Sequence, residues 1–406
     1  MADGIANGRA KENFLTYAQT QFDMLAQRPL GPVDSLALSW LSYLHFPDDM
    51  PEVTTWQGVD IRELLRAECR DAMTGSLWDP DGSWDLLVAA CANPRFRGMR
   101  ACGYRTAFSE QSEEQFAAVT FRLPDGSIYV SYRGTDSTLV GWKEDFNMAF
   151  QSPVPAQVSA AKYLAEVAAA LDGPIYTGGH SKGGNLSVYA ATTCEASIQP
   201  RIERAFSHDG PGFNEKFLRD QRFLDMSERV DKTLPQSSII GMIFENQEAC
   251  SIVQSESFSI LQHNPFSWQV SGTEFVLGDD LTGGAQYLDD SVAEWCRSVE
   301  PEQRGEFIDA LFAVFNSAGQ ASFGDIMDTW QTSFPKMLQT VEGLDPEVRK
   351  SVTSTLGVLV KAMAPKLELP TIDSISDSLK SFIGLHEDAV PNVLDAPIAP
   401  ADATLK

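Results

Sequence analysis

The sequence has few of the features that mark secreted, membrane-spanning or nucleic-acid-binding proteins. Lysine and arginine number 31 against 56 aspartates and glutamates, which gives a formal net charge of −25. Such a charge repels phosphate backbones and anionic membranes, so we expect no nucleic-acid partner. No apolar run approaches the roughly 18 residues that a membrane-spanning helix needs. The first residues, MADGIANGRAKENF, lack the apolar stretch of a signal peptide.

Cysteine is also sparse, and its spacing excludes one further class of protein. The six cysteines stand singly, without a CxxC pair or a dense framework. This spacing argues against a disulfide scaffold and is typical of reduced thiols in a reducing compartment. We therefore expect a cytoplasmic protein, and no pattern indicates an oligomeric state.

What the sequence does contain is an alternation of strand and helix patterns. Two strand patterns, 116–123 and 127–134, flank a Pro-Asp-Gly turn typical of a hairpin. The order that follows is a helix from Pro155, a strand over 175–177, a helix from 182 to about 196, and strands over 202–206 and 238–244. Strands that alternate with helices imply crossover connections, so the predicted fold class is α/β with a mostly parallel sheet flanked by helices.

Helical patterns lie on both sides of this alternating region. Apolar residues recur at helical spacing between Val33 and Leu44, and again in two stretches after residue 300. We divide the chain into an N-terminal helical segment packed on the core (1–94), an α/β core (95–285), a helical cap or lid (286–386) and a disordered tail (387–406). The tail is predicted from its content of proline, alanine and aspartate.

One short stretch in the core indicates a catalytic serine. Ser181 stands between Gly179 and Gly183, after a strand pattern and before a helix pattern. A serine at such a sharp turn exposes its hydroxyl, and larger residues at the two glycine positions would collide with neighbouring elements. The N–H of Lys182 would point toward a developing oxyanion, while its side chain is expected to point outward. A glycine-rich turn with a capping serine is the alternative.

A serine nucleophile needs a base, and in this arrangement the base follows the serine and an acid in the chain. Three of the five histidines follow Ser181. His208 leaves no room for an intervening acid on a separate strand, and His386 precedes the predicted tail. His263, in the loop sequence ILQHNPFSW, is therefore the candidate base.

Two carboxylates compete for the place of the acid. Glu248 lies just beyond the predicted 238–244 strand and is the first choice. Asp209 directly follows the predicted 202–206 strand and is the alternative. A second oxyanion donor is expected in the loop after an earlier strand, where Thr135 offers both its hydroxyl and its N–H.

Three stretches of the chain resemble the class 3 (fungal-type) lipases of the α/β-hydrolase superfamily. YRGTDS, with Trp142 and Asp145 after it, is similar to the lipases' Arg-Gly-Ser/Thr segment and its W-x-x-D continuation. GGHSKGGNL matches the nucleophile turn, and QHNPFSW occupies the place of the catalytic histidine. The chain looks still more like a bacterial family of lipase-like proteins with Gly-His-Ser-Lys-Gly-Gly-Asn at this turn.

The resemblance covers about residues 100–270 and implies an α/β-hydrolase fold. It also implies Thr135 as the side-chain oxyanion donor, Ser181 as the nucleophile and His263 as the base. The lipases have a leucine-like residue at the position of Lys182 and an aspartate where we place Glu248.

Together these features predict a serine ester hydrolase that acts through an acyl-enzyme on a small-molecule or lipid ester. Such chemistry requires no metal and no organic cofactor. An acyltransferase with the same residues is one alternative. A non-catalytic binding or scaffold protein on a hydrolase fold is the other, because fold alone does not guarantee chemistry.

Overall fold

The computed structural model describes residues 12–135, 139–148, 151–238, 240–242, 250–257, 259–278, 281, 301–319, 330–346, 348–349 and 352. The chain divides into one compact unit that ends at Thr340 and a second that begins at Val341. The sheet and the candidate site lie in the first unit. In the described part of the second unit, the Arg349 guanidinium donates to the carbonyls of Glu342 and Leu344.

An eight-stranded sheet, whose strands lie side by side in chain order, forms the centre of the described structure. The strands are β1 (Val59–Asp60), β2 (Arg100–Ser109), β3 (Glu114–Arg122), β4 (Ile128–Tyr132), β5 (Ile175–His180), β6 (Ile202–His208), β7 (Val230–Pro235) and β8 (Cys250–Val253). Strands β1 to β4 pair antiparallel, and β4 to β8 pair parallel. Two short strands, β9 (Val270–Ser271) and β10 (Glu274–Phe275), pair separately.

Helices flank this sheet and precede and follow it in the chain. They are α1 (Phe14–Thr20), α2 (Pro32–Leu41), α3 (Arg70–Thr74), α4 (Pro80–Ala92), α5 (Leu139–Asn147), α6 (Pro155–Ala170), α7 (Lys182–Thr193), α8 (Glu215–Leu218), α9 (Gln221–Met226), α10 (Pro301–Ser317) and α11 (Trp330–Glu342). In the described ranges none of these helices has the length and hydropathy needed to cross a bilayer. A mostly parallel sheet with flanking helices and a strand–serine–helix turn is the α/β-hydrolase fold that the sequence predicts.

The hairpin and the crossover helices occupy the expected places. β3 and β4 are joined by the predicted turn, in which Gly126 has a φ of 89° and donates its N–H to the Leu123 carbonyl. Helix α6 begins at Pro155, where the Gln157 side chain accepts from the Val154 N–H. Proline suits the first helical position because the N–H that it lacks has no partner within the helix.

One predicted strand is wrong in its described part. Residues 240–242 form a bend and a turn, and the strand that follows β6 is β7, which the sequence analysis missed. β7 reads VDKTLP, and its two charged residues hide the strand pattern. Its Lys232 is nevertheless buried in the sheet. The sequence SIIGMIF, which follows β7 in the chain, is more apolar than β7, and a prediction from hydrophobicity therefore places the strand there.

The proposed boundaries at residues 94 and 285 stay predictions. After residue 300, the described residues of the proposed cap include α10 and α11. The tail over 387–406 lies outside the described residues.

Buried polar groups hold the N-terminal helices together. The Asp34 carboxylate, fully buried in α2, accepts from Nε and Nη2 of Arg95, each at 2.6 Å. It also accepts from the Tyr17 hydroxyl at 2.6 Å, which adds α1 to the same cluster. Farther along α2, Ser35 is hydrogen-bonded to Tyr129 of β4 and His208 of β6, so the helix is fixed to the sheet as well.

We expect Arg95→Met to lower the free energy of unfolding by about 3–5 kcal/mol, because it removes the bidentate partner of a buried carboxylate. Urea denaturation measures the loss. The matched control is Arg62→Met, which breaks the Arg62–Asp60 pair whose arginine side chain is 61% exposed. That variant should lose less than about 1 kcal/mol. Equal losses in the two variants would contradict this account of the buried pair.

Candidate active site

Ser181 lies at a sharp turn between β5 and α7. Its backbone has φ 58° and ψ −137°, a conformation that side-chain-bearing residues rarely adopt. The two flanking glycines make this turn possible. A Cβ at Gly179 would lie 2.2 Å from the Gly183 carbonyl carbon, and one at Gly183 would lie 2.1 Å from the Tyr132 carbonyl oxygen. Strained backbone of this kind is common at catalytic serines of α/β hydrolases.

Backbone hydrogen bonds fix the turn to its neighbours. The Ser181 N–H donates to the His208 carbonyl at 2.9 Å, and the Gly184 N–H donates to the Ser181 carbonyl at 2.9 Å. Lys182 is the first residue of α7, so its N–H belongs to the set that points out of the helix end. An anion above the serine would meet this N–H and the positive end of the helix dipole.

The loop after β4 runs directly against the serine. A Cβ at Gly134 would lie 2.6 Å from the His180 carbonyl oxygen and 3.0 Å from the Ser181 Cβ. Thr135 follows this glycine, and its hydroxyl donates to Asp145 Oδ2 of α5 at 2.5 Å. Thr135 is therefore one residue away from Gly134, which lies directly against the Ser181 turn.

His263 ends a 3₁₀ helix (Ser259–His263) that lies over the same turn. Its carbonyl accepts from His180 Nε2 at 2.8 Å, and the two imidazole centroids are 4.5 Å apart. The preceding residue, Gln262, accepts from the Trp268 indole N–H at 2.7 Å through its carbonyl. His263 is thus held by backbone contacts next to the residue that precedes Ser181.

The carboxylate that meets this histidine belongs to Asp209. Asp209 Oδ2 accepts from His263 Nδ1 at 2.6 Å, and both residues are buried. Asp209 Oδ1 accepts from the Ser238 hydroxyl at 2.5 Å and from the Gly241 N–H at 3.2 Å. Asp209 follows β6 with a φ of 50°, in the left-handed region that aspartate tolerates better than most residues. Glu248 lies outside the described residues.

His208, which the sequence analysis set aside as a base, faces a different part of the molecule. Its Nε2 is hydrogen-bonded to the Ser35 hydroxyl of α2 at 2.8 Å. Burial lowers the pKa of His208 to about 3, so its ring is neutral. The third candidate histidine, His386, lies outside the described residues.

His180 and Tyr43 are part of the site, although the sequence analysis did not single them out. The His180 ring is buried, and its Nδ1 lies 3.1 Å from the Tyr43 hydroxyl. Burial and the neighbouring His263 lower the pKa of His180 well below its usual range. A neutral His180 ring with its Nε2–H on the His263 carbonyl connects the His263 loop to the Ser181 turn. In the sequence, the only indication that His180 belongs to the site is its position directly before Ser181.

The prediction that the Lys182 side chain points outward is wrong. The side chain is fully buried, and its Nζ lies 3.0 Å from Glu144 Oε2 and 3.7 Å from Asp145 Oδ1. Burial raises the pKa of Asp145 to about 6, against the opposing effects of the Lys182 ammonium and of the Thr135 hydroxyl. The leucine-like residue of the lipases is thus replaced by a buried cation with a carboxylate partner.

We expect Asp209→Asn to change the tautomer of His263. The Asp209 carboxylate holds the proton on Nδ1, and an asparagine amide group at this position can donate to Nδ1 instead, which favours the proton on Nε2. The ¹⁵N chemical shifts of the imidazole, assigned by NMR, report the tautomer. Glu248→Gln is the matched control and should leave these shifts unchanged. A change in the Glu248→Gln protein alone would mean that Glu248 is the histidine's partner.

The solved structures to which this chain is similar include three lipases. A Rhizomucor miehei lipase propeptide complex is 14% identical, with 60% of this chain and 76% of that chain covered and a TM-score of 0.33. A fungal lipase–inhibitor complex is 15% identical, with 57% of this chain and 88% of that chain covered and a TM-score of 0.34. The Lip2 lipase of Yarrowia lipolytica is 11% identical, with 48% of this chain and 77% of that chain covered and a TM-score of 0.29. A comparison with curated proteins finds no match. The fold assignment rests on the sheet and the serine turn themselves.

A protein family does match the region that carries the site. Residues 90–313, more than half of the 406-residue chain, match the family described as Mbeg1-like. The matched region begins near the end of α4 and ends within α10, so it contains β2 to β8 and every site residue that they position. The chain therefore belongs to the Mbeg1-like family.

Proposed function

We propose that this protein is a serine hydrolase that cleaves carboxylic esters through an acyl-enzyme. One observation carries the proposal. A serine held at positive φ between glycines lies beside a histidine loop, and the histidine's Nδ1 is 2.6 Å from a buried aspartate. This combination of strained serine, imidazole and orienting carboxylate is the arrangement that activates a hydroxyl for acyl transfer.

The first step uses Nε2 of the His263 imidazole, the ring nitrogen that does not contact Asp209. Because the Nδ1–H of His263 donates to Asp209, the lone pair of the neutral ring is on Nε2. Nε2 takes the proton of the Ser181 hydroxyl as Oγ attacks the acyl carbonyl carbon. The negative charge that develops on the carbonyl oxygen is stabilised by the main-chain N–H groups of Lys182 and Thr135, while the Thr135 hydroxyl stays bonded to Asp145 and holds its loop in place.

The intermediate then collapses in two stages. The ester C–O bond breaks, His263 gives its proton to the leaving alcohol, and Ser181 is left acylated. A water molecule, deprotonated by the same Nε2, attacks the acyl carbon and releases the carboxylic acid. The serine recovers its proton from the imidazolium, so the cycle consumes one ester and one water.

Asp209 takes the place of the acid in this proposal. Its carboxylate is fully buried, and two donors besides the histidine, the Ser238 hydroxyl and the Gly241 N–H, hold it in position. A carboxylate fixed in this way orients the imidazole and stabilises the imidazolium that forms during the reaction. Its contact with His263 favours Asp209 over Glu248.

We expect Ser181→Ala to abolish labelling by a fluorophosphonate probe and to lower the kcat for p-nitrophenyl ester hydrolysis by at least about 10⁴-fold. A screen across acyl chain lengths with the unaltered chain identifies the ester to use. Ser159→Ala is the matched control, since the Ser159 side chain lies on α6 and donates to Glu114. Equal labelling of the Ser181→Ala and unaltered proteins would overturn the proposal.

We expect Thr135→Val to lower kcat by about 100-fold, because the loss of the hydrogen bond to Asp145 displaces the loop that carries the Thr135 N–H, and a shift of about 1 Å can cost that much. Valine has nearly the shape of threonine but no hydroxyl. Thr135→Ser keeps the hydroxyl and should retain most of the activity. If valine and serine variants were equally active, the Thr135 side chain would have no part in positioning the oxyanion donor.

A further inference from the structure

The side chain of Lys182 is buried, although a residue next to the proposed nucleophile does not need a buried side chain. The main-chain N–H of this residue is enough for the proposed oxyanion contact, and the side chain is completely covered by protein. Removing an ammonium group from water is costly unless charged and hydrogen-bonding partners compensate it. The partners of Lys182 therefore indicate what the buried charge holds in place.

These partners come from two different elements. Nζ donates to the Gln115 carbonyl of β3 at 3.0 Å and to Glu144 Oε2 of α5 at 3.0 Å. Gln115 Oε1 lies 3.4 Å from the same nitrogen. The ammonium thus joins the start of α7 to a neighbouring strand and to the helix that follows the Thr135 loop.

Glu144 is itself fixed at three points. Besides the ammonium, its carboxylate accepts from the Gln115 N–H at 3.0 Å and from the Ala156 N–H at 2.8 Å. The residue is fully buried. Helix α5 is therefore held against β3 and the first turn of α6 at the level of Glu144.

The next residue of α5 continues the connection to the oxyanion loop. Asp145 Oδ1 lies 3.7 Å from Lys182 Nζ, while its Oδ2 accepts from the Thr135 hydroxyl at 2.5 Å. One side chain, on the residue that follows the nucleophile, is thereby connected to Thr135 through two adjacent carboxylates. The main-chain N–H of that same residue is the other proposed oxyanion donor.

We propose that Lys182 is a positioning residue. Its side chain fixes Glu144 and Asp145 of α5 to the Ser181 turn and thereby sets the location of Thr135 relative to Ser181. This inference rests on the proposed function, because it assumes that Thr135 binds the oxyanion. In this arrangement Lys182 contributes to both halves of the oxyanion site, one through its main chain and one through its side chain.

The charges around Asp145 agree with this assignment. Burial, which is the largest effect, and Glu144 oppose its ionised form, while the Lys182 ammonium and the hydrogen bond from Thr135 favour that form. Without the ammonium, the buried Glu144 carboxylate and the partly buried Asp145 carboxylate would lie next to each other without a counter-charge, and their repulsion would displace α5 from the turn. A displacement of about 1 Å in such a group can cost about 100-fold in rate.

The test is a double-mutant cycle on ester hydrolysis with Lys182→Met and Asp145→Leu. Lys182→Met should lower kcat by about 100-fold with KM within about 2-fold of the original, because a transition-state contact is displaced. Asp145→Leu cuts the connection to Thr135. In that background, Lys182→Met should change kcat by less than about 3-fold, since coupled residues are not additive.

A purely structural salt bridge gives a different result. In that case Lys182→Met lowers the free energy of unfolding but leaves kcat per folded molecule unchanged, or the two substitutions multiply in the cycle. Either result overturns the inference. If Lys182→Met does not fold, Glu144→Gln decides: it keeps the size of the side chain and weakens the contact with the ammonium, so kcat should fall in the same direction.

The unaltered protein separates this inference from the function on which it rests. If the unaltered chain neither hydrolyses the esters nor reacts with the fluorophosphonate at Ser181, the proposed function and the inference fail together. If it does both and Lys182→Met retains the original kcat, the inference alone fails.

Discussion

Close backbone approach at two glycines is the constraint on which the geometry of the site depends. A Cβ at Gly183 would overlap the Tyr132 carbonyl of β4, and one at Gly179 would overlap α7. With hydrogen alone at these positions, α7 can start immediately after β5, and Ser181 takes a positive-φ backbone conformation at the turn, where the residue is only 7% exposed. The same proximity brings the loop after β4 against the serine, so the turn and the proposed oxyanion loop share one contact.

Parallel pairing explains why the remaining groups meet at this edge of the sheet. β4, β5 and β6 are adjacent and parallel, so their carboxyl ends lie side by side. Thr135, Ser181 and Asp209 each follow the end of one of these strands. The histidine arrives from a later loop, whose place is fixed by the bond from His180 to the His263 carbonyl. In open parallel sheets, ligand sites form at the carboxyl ends of the strands for this topological reason.

Buried charge distinguishes the surroundings of this site from an apolar one. Lys182 and Glu144 are fully covered, and Asp145 is 17% exposed. A hydrophobic pair of similar volume can be as stable as a buried ion pair, so stability alone is a weak reason for such a cluster. The contacts of this cluster extend from the Ser181 turn to the proposed oxyanion loop. In a catalytic site, small changes in position there would alter the rate more than they alter the fold.

The sequence by itself determined the features that depend on residues adjacent in the chain. Local spacing was enough to locate the hairpin before β4, the glycine-flanked serine and the helix from Pro155, because turns and amphipathic periods are properties of short segments. Tertiary structure alone decided which carboxylate meets His263 and where the Lys182 side chain goes. Asp209 and His263 are 54 positions apart, and their contact depends on how a strand end and a later loop pack together. The same holds for Lys182, whose partners at 115 and 144 are brought to it only by the pairing of the sheet and the folding of α5 over it.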